Sequence, residues 1–313
     1  LYTVYCKRHF EECNSGRTYD KAVTKDILSF AGWSFLGNFG ITCRDQVTNI
    51  IFNVFFQTPV VNAARGIATQ VSGIISTFAT NITMAINPQI TKNYSSGNIK
   101  ESVSLVYMGC RASFYMLTLI VVPFVVNVDY VLELWLERVP ENTSLFLYFI
   151  LGVALIYSLS QPITVAIQAT GDIKAFQIWI FSLMVLEVCL TYLVLWITGS
   201  LVYALVPSVV VNFISTAVRM ALVKKKVGAY SFRQYAFDVV FRCVMVLLIS
   251  CVVAMYIHYM IGYESFVAFL GECVVLAVST VVIILLFGLK RDERLQLVSK
   301  LTMSVKRLNG RRV

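Results

Sequence analysis

Apolar positions fall into eight long runs, at 27–56, 59–90, 103–128, 145–170, 175–198, 201–223, 237–260 and 266–289, separated by short polar joints. Each run is long enough to cross a hydrocarbon core of roughly 30 Å as a helix rising about 1.5 Å per residue. None shows the alternation that a β-barrel needs, and in hydrocarbon only a helix or a closed barrel satisfies its backbone hydrogen bonds. The pattern predicts an all-α, polytopic transmembrane helical bundle of about eight helices. The first two runs exceed a perpendicular crossing, so they are expected to tilt or to protrude into water.

The polar residues inside these runs carry the functional signal. In the first run Asn38, Thr42, Asp45, Asn49 and Asn53 recur at steps of 4, 3, 4 and 4, which places them on one helix face. In the second, Arg65, Thr69, Ser72, Ser76, Thr80, Thr83 and Asn87 do the same. A shorter stripe, Ser208, Asn212, Ser215 and Arg219, marks the sixth run, and Gln161 and Gln168 lie seven apart in the fourth. An Arg or Asp facing lipid at mid-helix costs roughly 2.5–3.5 kcal/mol, so the charged stripes are expected to face protein or an aqueous cavity. Hydroxyls alone read equally as glue between helices, at about 0.6 kcal/mol per hydrogen bond.

Glue has no need of full charges, so Arg65, Arg44 and Asp45 are candidate cavity residues, with Asn38, Asn49, Asn62, Gln70 and Arg111 beside them. Arg44 and Arg65 flank the turn near Pro59, which puts both in the outer half of the membrane. Arg44 is off the polar stripe and has Asp45 or a neighbouring helix as its partner. Glu187, alone in the middle of the fifth run, reads as a proton or cation site, with Asp45 the other candidate, or as a neutral carboxyl bonded to a neighbouring helix. Arg219 and Arg242 lie close enough to the interface to snorkel. A cavity of cations and amides suits an anionic, hydroxyl-rich ligand: guanidinium forks match phosphate oxygens, and amides both donate to and accept from sugar hydroxyls.

Composition agrees. Hydrophobic residues make up 58% and charged residues 14% of the 313, against roughly a quarter charged in soluble domains. The net charge of +9 is no nucleic-acid footprint, because most of the 26 Lys and Arg residues alternate with the apolar runs and gather on one side. They lie before the first run, around Lys92, Lys100 and Lys174, in the Lys224–Lys226 run and after Leu289, whereas the opposite loop at 129–144 is acidic. The positive-inside rule then puts both termini in the cytoplasm. In the tail 290–313, Leu295, Val298, Leu301, Val305 and Leu308 share a helix face, which suits either the inner leaflet or a solvated basic tail. The eight cysteines have no paired or metal-ligand spacing, and only His9 and His258 are present, so no cofactor, metal site or enzyme active site is expected. LYTVYC running into the basic KRH reads as the cytoplasmic end of an earlier membrane helix.

Five segments, LSFAGWSFLGNFG, PVVNAARGIATQVSG, AINPQITKNYSSGN, LELWLERVP and QATGDIK, resemble polysaccharide (O-antigen and capsule type) flippases of the multidrug/oligosaccharidyl-lipid/polysaccharide exporter superfamily. The resemblance extends over nearly the whole chain. It implies the second lobe of a two-lobe transporter: an inter-lobe linker at 1–26, a six-helix lobe at 27–223, two additional transmembrane helices at 224–289 and a basic cytoplasmic tail at 290–313. It also implies a bacterial cytoplasmic membrane location, a facing N-terminal lobe, polysaccharide-assembly enzymes as partners, and alternating-access transport of an undecaprenyl-diphosphate-linked oligosaccharide. The diphosphate would fall to Arg65, Arg44 and Arg111. Two other readings stay open: a drug/cation antiporter of the same superfamily, which would want acids such as Asp45 and Glu187, and a membrane-embedded glycosyltransferase or polymerase, for which 129–144 is the one loop available.

Overall fold

The computed structural model describes residues 2–10, 13, 20–261, 266–290 and 293–294; the apolar face read in the tail at 295–308 and most of the polar segment at 11–19 lie outside them. The first element, α1 (Tyr2–His9), is a short, largely exposed helix. Next, α2 (Lys21–Phe56) starts before the apolar run does, because the Asp20 carboxylate accepts from the backbone N–H groups of Ala22 and Val23 at 2.8 and 3.3 Å. It ends where Gln57 turns left-handed at φ 49°, with its N–H bonded back to Asn53. Pro59, whose missing N–H costs nothing at a first helical position, then opens α3 (Pro59–Ser95).

The chain continues through α4 (Ile99–Val126), α5 (Val128–Trp135), α6 (Thr143–Ser158), α7 (Gln161–Ala169), α8 (Lys174–Thr198) and α9 (Leu201–Lys226). It closes with α10 (Phe232–Tyr235), a π-helical stretch at Ala236–Phe241, α11 (Arg242–Ile261), α12 (Phe266–Ile283) and a second π-helical stretch at Ile284–Gly288. Among the described residues, six segments are long and apolar enough to cross a membrane: α4, α6 with α7, α8, α9, α10 with α11, and α12 with its π-helical end. At 36 and 37 residues, α2 and α3 are about 54 and 56 Å long, ample for a crossing, but their polar stripes keep them outside the apolar set. The eight runs thus exist as helices, six of them apolar and two polar-faced.

The run expected at 145–170 is not one rod. It breaks at Leu159–Ser160, because Pro162 has no N–H to offer and its ring crowds the carbonyl one turn back. The break leaves polar groups for others to use: the Leu159 carbonyl accepts the Tyr235 hydroxyl at 2.9 Å.

Packing separates the two polar-faced helices. On α3 the small buried residues Ala64, Ala68 and Ala79, with Val71 and Ile75, occupy the flank beside the arginine and seat the helix closely on α4, α6 and α7. In contrast α2 leans on α8, where Gly37 and Gly40 make the approach possible. A Cβ at Gly40 would lie 2.8 Å from a ring carbon of Phe181 and 3.2 Å from the Met184 sulfur. A Cβ at Gly37 would meet chiefly the movable amide of Gln177. Gly40→Val is therefore expected to force α2 off α8 at a cost of about 1–3 kcal/mol, seen as reduced folded yield in size-exclusion profiles, while Gly37→Ala is tolerated. Equal behaviour of the two variants would contradict this packing.

With α9 laid against α6 and α8, the helices α2, α3, α6, α8 and α9 enclose a space. On the other side of α3, α4 carries α11 and α12, which are tied to each other by His258 and Glu272 at 2.8 Å. The outward faces stay apolar, with Trp196, Val252 and Val267 about two-thirds or more exposed, a surface that suits lipid and not water. Cys110 and Cys243 are buried in the core, whereas Cys189 faces outward.

Candidate functional site: a two-chambered polar cavity

The enclosed space consists of two chambers, of about 520 and 600 Å³, that share Arg44, Glu187 and Asn212 as common wall. One chamber holds Asn38, Gln168, Gln177, Ser215 and Arg219. The other holds Asp45, Asn49, Asn62, Arg65 and Thr69. The α9 stripe runs the whole length: Ser208 faces one chamber, Asn212 both, and Ser215 and Arg219 the other. From Ser208 to Arg219 the wall is about 16 Å long by helical rise.

At the waist between the chambers the charges form a chain. Nε and Nη2 of Arg44 donate to Oδ1 of Asp45 at 3.2 and 3.0 Å, and Nη1 reaches Oε2 of Glu187 at 3.6 Å. Arg65 approaches the same Asp45 carboxylate at 3.7 Å, donates to its backbone carbonyl at 3.3 Å and bonds the Asn49 side-chain oxygen. Two cations and two carboxylates thus alternate from α3 through α2 to α8, and the Arg65 guanidinium also sits 5.9 Å above the Phe52 ring. Asn62 extends the polar wall by donating to Oδ1 of Asn53 at 2.7 Å and to the Asn49 carbonyl at 3.2 Å. Glu187 is thus not alone: it faces Arg44 on the neighbouring helix α2.

Arg219 differs from the other cavity cations. It is 6% exposed, bonds the Ser160 hydroxyl at 2.6 Å and lies 5.0 Å from the Tyr157 ring centroid. Its Nε has no hydrogen-bond partner, and no carboxylate pairs with it among the described residues. The Ser160 hydroxyl is presented by the break between α6 and α7, so a proline in one helix orients a guanidinium on another.

The candidate residues divide as follows. Asn38, Arg44, Asp45, Asn49, Asn62, Arg65 and Glu187 come together around the cavity. Gln70 does not: it is exposed, because five residues beyond Arg65 a helix has turned to a position about 140° round its axis. Arg111 does not either. It projects from the side of α4 that faces the π-helical stretch and residue 293, where it bonds the Asp238 carbonyl and the Glu293 carboxylate. Which side of α4 meets which neighbour is a tertiary fact that its position along the run does not contain. Arg44 lines both chambers.

Arg219 does not snorkel. It points inward, and its place on the Ser208–Asn212–Ser215 stripe was the available signal. Arg242 donates to the Leu289 carbonyl at 3.4 Å, at the end of the last helical stretch. The α3 stripe splits: Arg65, Thr69 and Ser72 line the cavity, whereas Thr83 bonds the Ser113 hydroxyl at 3.0 Å and acts as glue between α3 and α4. Among the described residues no group of His, Cys, Asp and Glu side chains is arranged to hold a metal ion.

A polytopic helical membrane protein whose interior is a polar, arginine-bearing cavity belongs, as a class, with transporters. The MatE family model matches residues 23–193, more than half of the chain and nearly all of α2 through α8. The chain belongs to the MatE family, within the multidrug/oligosaccharidyl-lipid/polysaccharide exporter superfamily, whose members are transporters rather than enzymes. No curated protein and no solved structure matches it.

Proposed function

We propose that this protein exports an anionic, lipid-linked oligosaccharide: a flippase for a polyprenyl-diphosphate-linked repeat unit. The observation that carries this reading is Arg219, a buried guanidinium in the cavity wall with an unpartnered Nε and no carboxylate beside it. A buried cation without a counter-ion is costly unless a ligand supplies the negative charge. Diphosphate oxygens supply it in bidentate geometry, and the amides of Asn38, Gln168, Gln177 and Asn212 around the same chamber suit sugar hydroxyls.

The drug/cation antiporter reading wants a free acid. Both cavity acids, Asp45 and Glu187, are already bridged to arginine, which disfavours a cationic cargo. The alternating lysines favour a cytoplasmic face at the Lys174 and Lys226 end, in a bacterial inner membrane, with residues 27–223 acting as one lobe against a facing lobe and 224–289 as two accessory helices.

The decisive experiment deletes the gene in its own host, labels lipid-linked oligosaccharides and determines the leaflet on which they accumulate. Intact intermediates on the inner leaflet support the flippase. Absence of accumulation, with new sensitivity to cationic drugs, supports the antiporter instead. Complementation with Arg65→Glu is expected to lose most export, because the substitution sets a third acid against Asp45 and Asn49; export at the wild-type level would remove Arg65 from the site.

A further inference from the structure

A second polar pocket, of about 240 Å³, shares no residue with the cavity and has no part in the reading above. Its walls include Lys100, Ser104, Arg111, Gln234, Lys290 and Glu293. On α4 the residues Lys100, Ser104, Tyr107 and Arg111 follow at steps of 4, 3 and 4, so one helix face carries a cation at each end of the pocket.

Arg111 is 3% exposed, its guanidinium satisfied by protein groups at the base of the pocket. One of its terminal nitrogens donates to the Asp238 carbonyl at 3.2 Å and the other bonds the Glu293 carboxylate. The second oxygen of Glu293 accepts the backbone N–H of Lys290 at 3.0 Å. A carboxylate gripped by a guanidinium and a main-chain N–H is held as an oxyanion ligand is held. Lys290 in turn lies 2.6 Å from Oδ2 of Asp238, while Lys100 is exposed and makes no ion pair among the described residues. Among the described residues, three cations therefore face two carboxylates. If Glu293 withdraws, the pocket carries a surplus of two positive charges around a preformed anion seat.

The surroundings indicate what form the anion takes. The stretches that flank the pocket turn large apolar side chains outward: Phe237 and Phe241 on one, Leu286 on the other, each more than half exposed. A soluble anion gains nothing from them, whereas acyl chains bury against them. The pocket also lies at the lysine-bearing end of the bundle, where basic residues meet the negative surface of a membrane leaflet.

We propose that this pocket binds the phosphate of an anionic phospholipid, with the Glu293 carboxylate and the lipid phosphate as alternative occupants of the Arg111 guanidinium. Lipid occupancy frees Glu293 from Arg111 of α4, so the state of the adjoining leaflet is read just beyond the end of the last helix.

The test is native mass spectrometry of the full chain in detergent, titrated with phosphatidylglycerol, with phosphatidylcholine and with inorganic phosphate. Wild-type protein is expected to retain phosphatidylglycerol over phosphatidylcholine. Lys100→Ala is expected to weaken that retention about fivefold, as befits one basic residue at an anionic surface. Glu293→Gln, which keeps shape and removes the competing charge, is expected to strengthen it by about the same factor. The rise on Glu293→Gln is the telling sign, since loss of a merely structural ion pair does not increase lipid binding; thermal melting of each variant verifies that it is folded. Equal retention of the two lipids, unchanged or weaker binding by folded Glu293→Gln, or binding of inorganic phosphate without lipid would each overturn the proposal.

Discussion

Replacing Arg219 by methionine is expected to abolish export while leaving the folded protein at least as stable as the wild type. The two halves of that expectation share one physical cause. Arg219 is buried against Tyr157 and Ser160 with no carboxylate partner, so the folded state bears the desolvation of a charge and recovers little of it. That penalty is several kcal/mol per ion even after relaxation. Methionine keeps most of the length and apolar contact of the arginine stem, and the one bond lost, to Ser160, leaves a hydroxyl that still donates to the Tyr157 carbonyl at 3.1 Å. Sites built for a ligand commonly trade stability in this way. Thermal melting in detergent and leaflet-resolved oligosaccharide labelling check the two halves independently. A variant that melts much earlier and exports in proportion to its folded amount would make Arg219 a structural residue. A variant with wild-type export would take it out of the transport path. Arg219→Lys, which keeps the charge but not the fork, is expected to retain part of the activity.

The second large effect is expected at the waist. Among the described residues Arg44 is the one cation paired with Glu187, whose side chain is 11% exposed, whereas Asp45 keeps Arg65 as a second partner. Arg44→Gln therefore strands Glu187. Breaking a buried pair from one side costs about 3–5 kcal/mol, and the partial exposure of Arg44 places this case at the low end. Adding Glu187→Gln to the same chain removes the stranded charge and is expected to recover folded yield, with a coupling energy of about 0.5–3 kcal/mol in the double-mutant cycle. Export is not expected to return, because the cation that joins the two chambers is gone. If the effects of the two substitutions simply add, the waist bridge contributes no net coupling. If the double variant exports normally, Arg44 has no part in transport.

Together the two variants test different features of one cavity. Arg44 and Arg65 sit in a chain that is nearly neutral, two guanidinium groups against two carboxylates. On the proposed flippase reading, an incoming anion competes there with Asp45 and Glu187, whereas at Arg219 no carboxylate among the described residues stands in its way.

Much of this was legible in the sequence, for reasons of periodicity and cost. Run length and apolarity determined that the chain is a membrane bundle, because no other arrangement satisfies twenty or so apolar residues in a row. The 3.6-residue repeat determined that Asn38, Asp45 and Asn49 share a face, and that Ser208, Asn212, Ser215 and Arg219 share another, since angular position on one helix follows from number alone. The family wording in NAARG and INPQI pointed to the superfamily that the family match supports.

Only the tertiary structure decided which faces meet. A helix carries its own angular order but no information on which neighbour each side will touch, and that is set by close packing: the small residues of α3 against α4, α6 and α7, and Gly37 and Gly40 of α2 against α8. Hence Arg44 found Glu187 across 143 positions of sequence, a pairing no spacing rule contains. Hence also neither Arg111 nor Arg219 is where it was expected. Depth along a helix, which sequence shows, suggested the cavity for the first and the interface for the second; direction around the axis, which packing sets, sent the first to the Glu293 pocket and the second into the cavity wall.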